Sequence, residues 1–154
     1  MPGLLWLSVV VLVLDQATKF WILATFHEYE VLTVLPVFNL TLVYNTGAAF
    51  SFLSDAGGWQ RWFFIGLGTL VSIIMVVWLL RLRSGERLVG VGLAMVIGGA
   101  VGNIIDRVWL GKVVDFLQWH WHDAYFPSFN VADSAITLGV ALLLLDGLRG
   151  SRTE

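Results

Sequence analysis

The chain has 154 residues, of which 58% are hydrophobic and 13% charged, and its formal net charge is −2. Nine cations and eleven anions cannot cover the surface of a soluble fold this small, most of whose residues lie near water. The apolar content excludes disorder, the absence of Cys excludes a disulfide scaffold and thiol chemistry, and the lack of a basic patch excludes nucleic acid as a partner.

What remains is a membrane protein, and its spans can be taken in order. A bilayer core about 30 Å thick needs roughly 20 apolar residues per helix. Leu4 to Phe26 meets this, interrupted only by Asp15, Gln16 and Lys19. The segment has no basic leading region, and ionisable residues sit where a cleavable signal peptide is apolar, so it is expected to be retained. Asp15 and Lys19 are four apart and share a helix face. A structural ion pair with Lys19 reaching toward the outer surface and direct contact with a ligand or anionic head group are equally good accounts.

Residues 27–61 form the first connecting segment. In it Phe38, Leu40, Leu42 and Tyr44 alternate with Asn39, Thr41 and Asn45, the two-residue period of a half-buried strand. A small extracytoplasmic β-sheet between the first two helices is expected, lying on the membrane surface. Residues 53–60, with Asp55, Gly57 and Gly58, have loop chemistry and read as a flap.

Trp62 to Leu80 is the second span and Leu88 to Ile105 the third, both free of charge. In the third, Gly90, Ala94, Gly98 and Gly102 recur every fourth residue, which lets another helix approach closely and holds the helix end and Asn103 in place. Asp106 and Arg107 then close it. The second connecting segment, 106–130, is rich in interfacial aromatics such as Trp109, Trp119, Trp121 and Tyr125. The fourth span runs from about Asn130 to Leu148. Its Asp146 lies one turn before Arg149, at the edge of the membrane where solvation suffices. None of the three prolines falls inside a span. Arg81, Arg83 and Arg87 crowd one short loop and Arg149 and Arg152 follow the last span, against Arg61, Arg107 and Lys112 on the other side. This bias places both termini in the cytoplasm. The fold class is therefore mainly α: one integral membrane domain of four helices with a small sheet.

Two carboxylates stand out chemically. Asn130 has the character of a helix N-cap with Asp133 three residues on, and Asp133 taken alone is an ordinary capping residue. Asp115, within Val113-Val114-Asp115-Phe116-Leu117, carries a desolvation cost that needs compensation. If the two meet, they share a proton and can activate a water against an amide carbonyl, as in aspartic peptidases, with no metal, thiol or serine. The helix N-terminus favours an ionised Asp133, and apolar neighbours favour a neutral Asp115. A Ser–Lys pair of Lys19 with Ser51, Ser54, Ser128 or Ser134 has no distinguishing spacing. His120 and His122 share a face only in a strand, and interfacial anchoring explains them better than a metal.

Five segments, in order, resemble the bacterial lipoprotein (type II, or prolipoprotein) signal peptidases. They are Asp15-Gln16-Ala17-Thr18-Lys19, Asn45-Thr46-Gly47-Ala48-Ala49-Phe50-Ser51, Gly98 to Asn103 with Asp106-Arg107, Val113 to Phe116, and Phe129 to Ser134. The resemblance implies a membrane-embedded aspartic endopeptidase of the bacterial inner membrane. It would remove signal peptides by cutting before a cysteine that already carries a diacylglyceryl group, in contact with membrane lipid. The resemblance assigns catalysis to Asp115 and Asp133. Asn45, Gly47, Asn103, Asp106, Arg107 and Asn130 would shape the site or hold substrate, and Asp15 and Lys19 would stabilise the first helix. It also implies inhibition by globomycin-like cyclic peptides. No cofactor and no metal are expected, and a monomer is. A proton-conducting or transport subunit fits less well, because the carboxylates lie at one membrane edge and the halves show no repeat. An assembly factor whose carboxylates only brace helices is the third alternative.

Overall fold

The computed structural model describes residues 1–47 and 57–150. In chain order it contains α1 (Leu5–Thr25, led by a short 3-10 turn), β1 (Val31–Leu35), β2 (Phe38–Asn45), α2 (Trp59–Arg81), α3 (Arg87–Trp109), β3 (Val113–Trp121), β4 (Ala124–Tyr125) and α4 (Val131–Gly150). All four helices are long and apolar enough to cross a membrane. The third overruns its expected end by four residues, so Asp106 and Arg107 lie inside its last turns rather than beyond it. The expected flap is shorter than its range of 53–60: Gly57 and Gly58 form a turn, Trp59 starts α2, and 53–56 lie outside the described residues.

Helix α3 is the hub, and α1, α2 and α4 all pack on it. The stripe of small residues explains the first contact. A Cβ on Gly98 would come within 2.7 Å of Ser8 O and 2.8 Å of Val11 Cβ, and one on Gly90 would strike Leu4. Ser8 Oγ donates to Ala94 O at 2.8 Å in the same seam. A second small face meets α4, where Gly92 and Gly139 each lie against the other's carbonyl oxygen. Without a hydrophobic force between helices in lipid, such close backbone approach supplies the packing. At the opposite end from the sheet, the Met1 ammonium donates to Leu79 O at 2.9 Å, closing α1 against the last turn of α2.

The sheet differs from the expectation in one important way. It is built from both connecting segments, not only the one between the first two helices, and its antiparallel order is β1-β2-β3-β4. Leu42 of β2 joins Ile22 of α1, Phe26 just past its end, and Val114 and Phe116 of β3 in one core, with Leu40 and Tyr44 packed against it. The other face of β2 is not solvated as half-burial had suggested, since Asn39 and Thr41 are buried. Asn39 Nδ2 donates to Gln118 Oε1 of its cross-strand partner at 3.2 Å, so a neighbouring amide replaces water there. Between Leu40 and Val43 the register shifts, two β2 residues facing one on β3. Such a bulge re-aims side chains, and here it sets Val43 opposite Asp115.

Candidate active site

Asp15, Gln16 and Lys19 of α1 converge with Asn103 and Asp106 of α3 at the end of the bundle that carries the sheet. Asp15, one turn before Lys19 on α1, faces the bare backbone of Gly102 on α3, whose missing Cβ leaves room for the carboxylate. Asp15 Oδ1 accepts from Ala132 N at 2.9 Å, so it satisfies a free donor at the start of α4. Its other oxygen lies 2.8 Å from Lys19 Nζ. Lys19 also pairs with Asp106 Oδ2 at 2.9 Å and donates to Asn103 Oδ1 at 3.0 Å. A buried ion pair is tolerated when every lone pair and proton has a partner, and Gln16 completes the set by donating to Asp15, Asp106 and Gly102 O.

Asp106 does more than balance the lysine. Its Oδ2 accepts from Val114 N at 3.0 Å, pinning the start of β3 to the end of α3. That bond places Asp115, 2% exposed, immediately beside the helix ends.

Asn130 links the two candidate acids. As N-cap of α4, its Oδ1 accepts from Asp133 N at 2.9 Å while its own backbone N donates to Asp133 Oδ2 at 3.2 Å, a reciprocal capping box. Its Nδ2 donates to Asp115 Oδ1 at 2.8 Å and reaches Val114 O and Asn103 Oδ1, each at 3.2 Å. Asn103 Nδ2 donates to Asp133 Oδ1 at 2.9 Å. The two carboxyls therefore sit on either side of one fully buried amide, at one end of the bundle. Burial first, and the nearby charge of Asp133 second, push the Asp115 carboxyl up to about 7; hydrogen bonds from Asn45 and Asn130 and the charge of Lys19 pull the other way.

The remaining candidates border this centre. Asn45 ends β2; its side chain hydrogen-bonds Asp115, and its Oδ1 accepts from Gly47 N at 2.8 Å. Gly47 has φ +88°, and a Cβ there would run into the ring of Phe64 on α2. That ring lies 5.0 Å below the Arg107 guanidinium, whose charge is felt by Asp133, Asp106 and Asp115. Ala48 to Ser51 of the same motif lie outside the described residues. A cleft of about 370 Å³ reaches down to Asp115 between Val43–Thr46 on one side and Pro127–Ser128 on the other. A second hollow, about 220 Å³, runs between α2 and α4 over the floor of α3, from Val71 up to Asn103 and Arg107.

Gln16, which the sequence marks only as an interruption of the first span and part of a motif, joins the network, and Asp115 lies on a strand, β3, that the sequence does not predict. The signal for Gln16 is its place beside Asp15, between the two ionisable residues of the first span. His120 lies on β3 stacked on Tyr125 at 5.3 Å, whereas His122 sits in the turn after the strand with φ +50°. Among the described residues no group of three His, Asp or Glu is placed to hold a metal ion.

Comparison with known proteins agrees over nearly the whole chain. Residues 7–149 match the family model for signal peptidase (SPase) II. The lipoprotein signal peptidase of Pseudomonas putida KT2440 is 53% identical over 152 residues, covering 97% of this chain and 89% of that one. That of Acinetobacter baumannii SDF is 56% identical, over 94% and 83%. Two solved structures described as bacterial membrane enzymes, determined in meso at 2.3 and 1.9 Å, superpose with TM-scores of 0.88 and 0.85 at 31% and 32% identity. They cover 100% and 96% of this chain, and 92% and 94% of their own.

Proposed function

The chain belongs to the signal peptidase II family, a family of lipoprotein signal peptidases, and on that premise we propose that it cleaves prolipoproteins with Asp115 and Asp133 as an aspartic dyad. The cut falls before the cysteine that carries the diacylglyceryl group. The observation that carries this reading is the Asn130 side chain, donating to one acid and capped onto the other.

In the proposed reaction Asp133 starts ionised, held by donors from Asn130 N and Asn103 Nδ2. Asp115 starts protonated, in keeping with its raised pKa. Asp133 takes a proton from a bound water as the oxygen attacks the scissile carbonyl carbon, and Asp115 gives its proton to the carbonyl oxygen. The resulting gem-diol collapses when Asp115 takes a proton back and Asp133 delivers one to the leaving nitrogen. The C–N bond breaks, releasing the signal peptide as a carboxylic acid and the lipidated cysteine with a free amine. The dyad returns to its starting state.

The hollow between α2 and α4 suits an apolar segment of the signal peptide, since it is lined by Phe64, Leu67 and Val71 and ends at Arg107 and at Asn103, which donates to Asp133. The cleft at Asp115 suits the scissile segment, with Asn45 at its edge. Confinement of this kind supplies positioning. We place the protein in the bacterial inner membrane, with both termini cytoplasmic and the dyad near the periplasmic face, acting as a monomer that globomycin-like peptides inhibit.

The test is reconstitution in lipid with a diacylglyceryl-modified prolipoprotein. The parent is expected to cleave it, and Asp115→Asn and Asp133→Asn, each with unchanged melting behaviour, are expected not to. Full activity in either folded variant would remove the dyad; no cleavage by the parent, with proton or solute movement instead, would favour a transporter.

A further inference from the structure

We propose that Lys19, on the first helix, is a positioning residue for the cleavage: it fixes the side-chain amide of Asn103 so that the NH2 group, and not the oxygen, faces Asp133. The inference rests on the dyad reading above and adds a residue that acts on Asp133 through another side chain.

The argument is one of donors and acceptors. Lys19 is 2% exposed, and its ammonium spends its bonds on Asp15 Oδ2, Asp106 Oδ2 and Asn103 Oδ1 at 2.8, 2.9 and 3.0 Å. An ammonium has three donors and no acceptor, so the Asn103 atom facing it must be oxygen. Asn130 Nδ2 meets the same oxygen at 3.2 Å, and Asn130 is itself locked by its capping bond to Asp133 N. A reversed Asn103 amide would set its NH2 against an ammonium and a second NH2, and its oxygen against a carboxylate. The lysine therefore directs Asn103 Nδ2 onto Asp133 Oδ1 at 2.9 Å, a bond that fixes the orientation of that carboxyl group.

An ion pair that merely braced α1 would need only Asp15, one turn away. Here the lysine reaches across to α3, while Asp15 binds the first turn of α4 through Ala132 N, so the ammonium is held in register with the helix that bears Asp133. Asp133 interacts with the charges of Arg107 from α3 and Asp115 from β3, while Lys19 from α1 is paired with Asp15 and with Asp106 of α3. The bonds of Lys19 go to Asp15, Asp106 and Asn103, and its direct charge effect on Asp115 is smaller than those of burial and Asp133.

The test is a coupling measurement on the full chain in lipid, using diacylglyceryl-modified prolipoprotein. Removing Lys19 alone strands two buried carboxylates, so Lys19→Met is combined with Asp106→Asn and compared with Asp106→Asn alone. The pair of substitutions is expected to lower kcat by about ten- to a hundredfold relative to Asp106→Asn, the worth of one charge-assisted hydrogen bond, with KM little changed. When Asn103→Ala is already present, the same Lys19→Met step is expected to cost almost nothing, because the amide it orients is gone. Lys19→Arg keeps the charge and protects folding while losing the compact geometry of an ammonium; its smaller loss is likewise expected only when Asn103 is present. Equal losses with and without Asn103, for either substitution, overturn the positioning role. If those equal losses accompany a parent that cleaves and an inactive Asp115→Asn, the dyad stands and only the role of Lys19 falls.

Discussion

Helices α2 and α3 are both twenty-three residues long and both apolar, yet they live in different surroundings. Twelve residues of α3 are buried and three of α2, although α2 is the more hydropathic of the two. Lipid tails are as apolar as Leu, so hydropathy brings a helix into the membrane without drawing it to the centre of a bundle. What draws α3 inward is small residues on two faces: Gly90, Ala94, Gly98 and Gly102 toward α1, and Gly92 and Gly99 toward α4. On α2, Gly66 has nothing within 4 Å of where a Cβ would stand. Because α3 is surrounded, its last turns can carry Asn103 and Asp106 out of contact with lipid, and the polar network grows from there.

The comparison can be broken most severely at the polar end of α3's surroundings. Asp115→Asn and Asp133→Asn are each expected to lower kcat about a thousandfold or more, as loss of a general acid or base does, measured by cleavage in lipid. Next come the glycines. Gly98→Leu should destabilise the protein by about 2–3 kcal/mol or prevent folding, since its side chain meets the Ser8 carbonyl, which cannot move aside. Gly66→Leu on α2 should change stability by less than about 0.5 kcal/mol. Thermal unfolding in detergent compares the two directly, and equal effects would show that α3's stripe does not set its position.

A smaller effect is expected from pH. The folded Asp115 titrates at about 7, above its ordinary carboxyl value, so the folded state binds more protons than the unfolded one between those two values. Its contribution to stability is present at low pH and is lost as pH rises toward 7. Melting temperature should fall across that window in the parent and fall less in Asp115→Asn. In Asp133→Asn the fall should come at lower pH, because the charge that ranks second in raising Asp115 is gone. Activity that needs a protonated Asp115 should decline on the alkaline side of pH 7. The smallest change concerns the α2–α3 seam itself. Arg61 donates to Arg107 O at 2.8 Å and Val108 O at 2.7 Å, capping the end of α3, and Arg61→Gln should cost about 1 kcal/mol with cleavage chemistry retained.

Much of this was legible in the residues. Long apolar runs, a four-residue glycine period and the alternation of Phe38 to Asn45 announce helices, a seam and a strand, because each is a local consequence of chain geometry. The capping of Asp133 by Asn130 was legible for the same reason. The membership of β3 in the sheet was not: its continuous apolar start, Val113-Val114, lacks a clear period, and pairing with β2 joins residues as distant along the chain as Phe38 and Trp119. Nor was the burial of Asn39, whose amide partner Gln118 comes from that distant strand.

By itself the sequence determined that the chain enters a membrane four times, where its helices run, and which polar residues lie at unusual depth, since these follow from transfer energies and short-range periodicity. Only the tertiary structure decided which of those polar groups meet. Lys19 on α1 faces Asp106 and Asn103 on α3, and Asn130 joins a strand acid to a helix acid. Hydrogen bonds act over about 3 Å, and such closeness between distant parts of a chain exists only after the helices have packed.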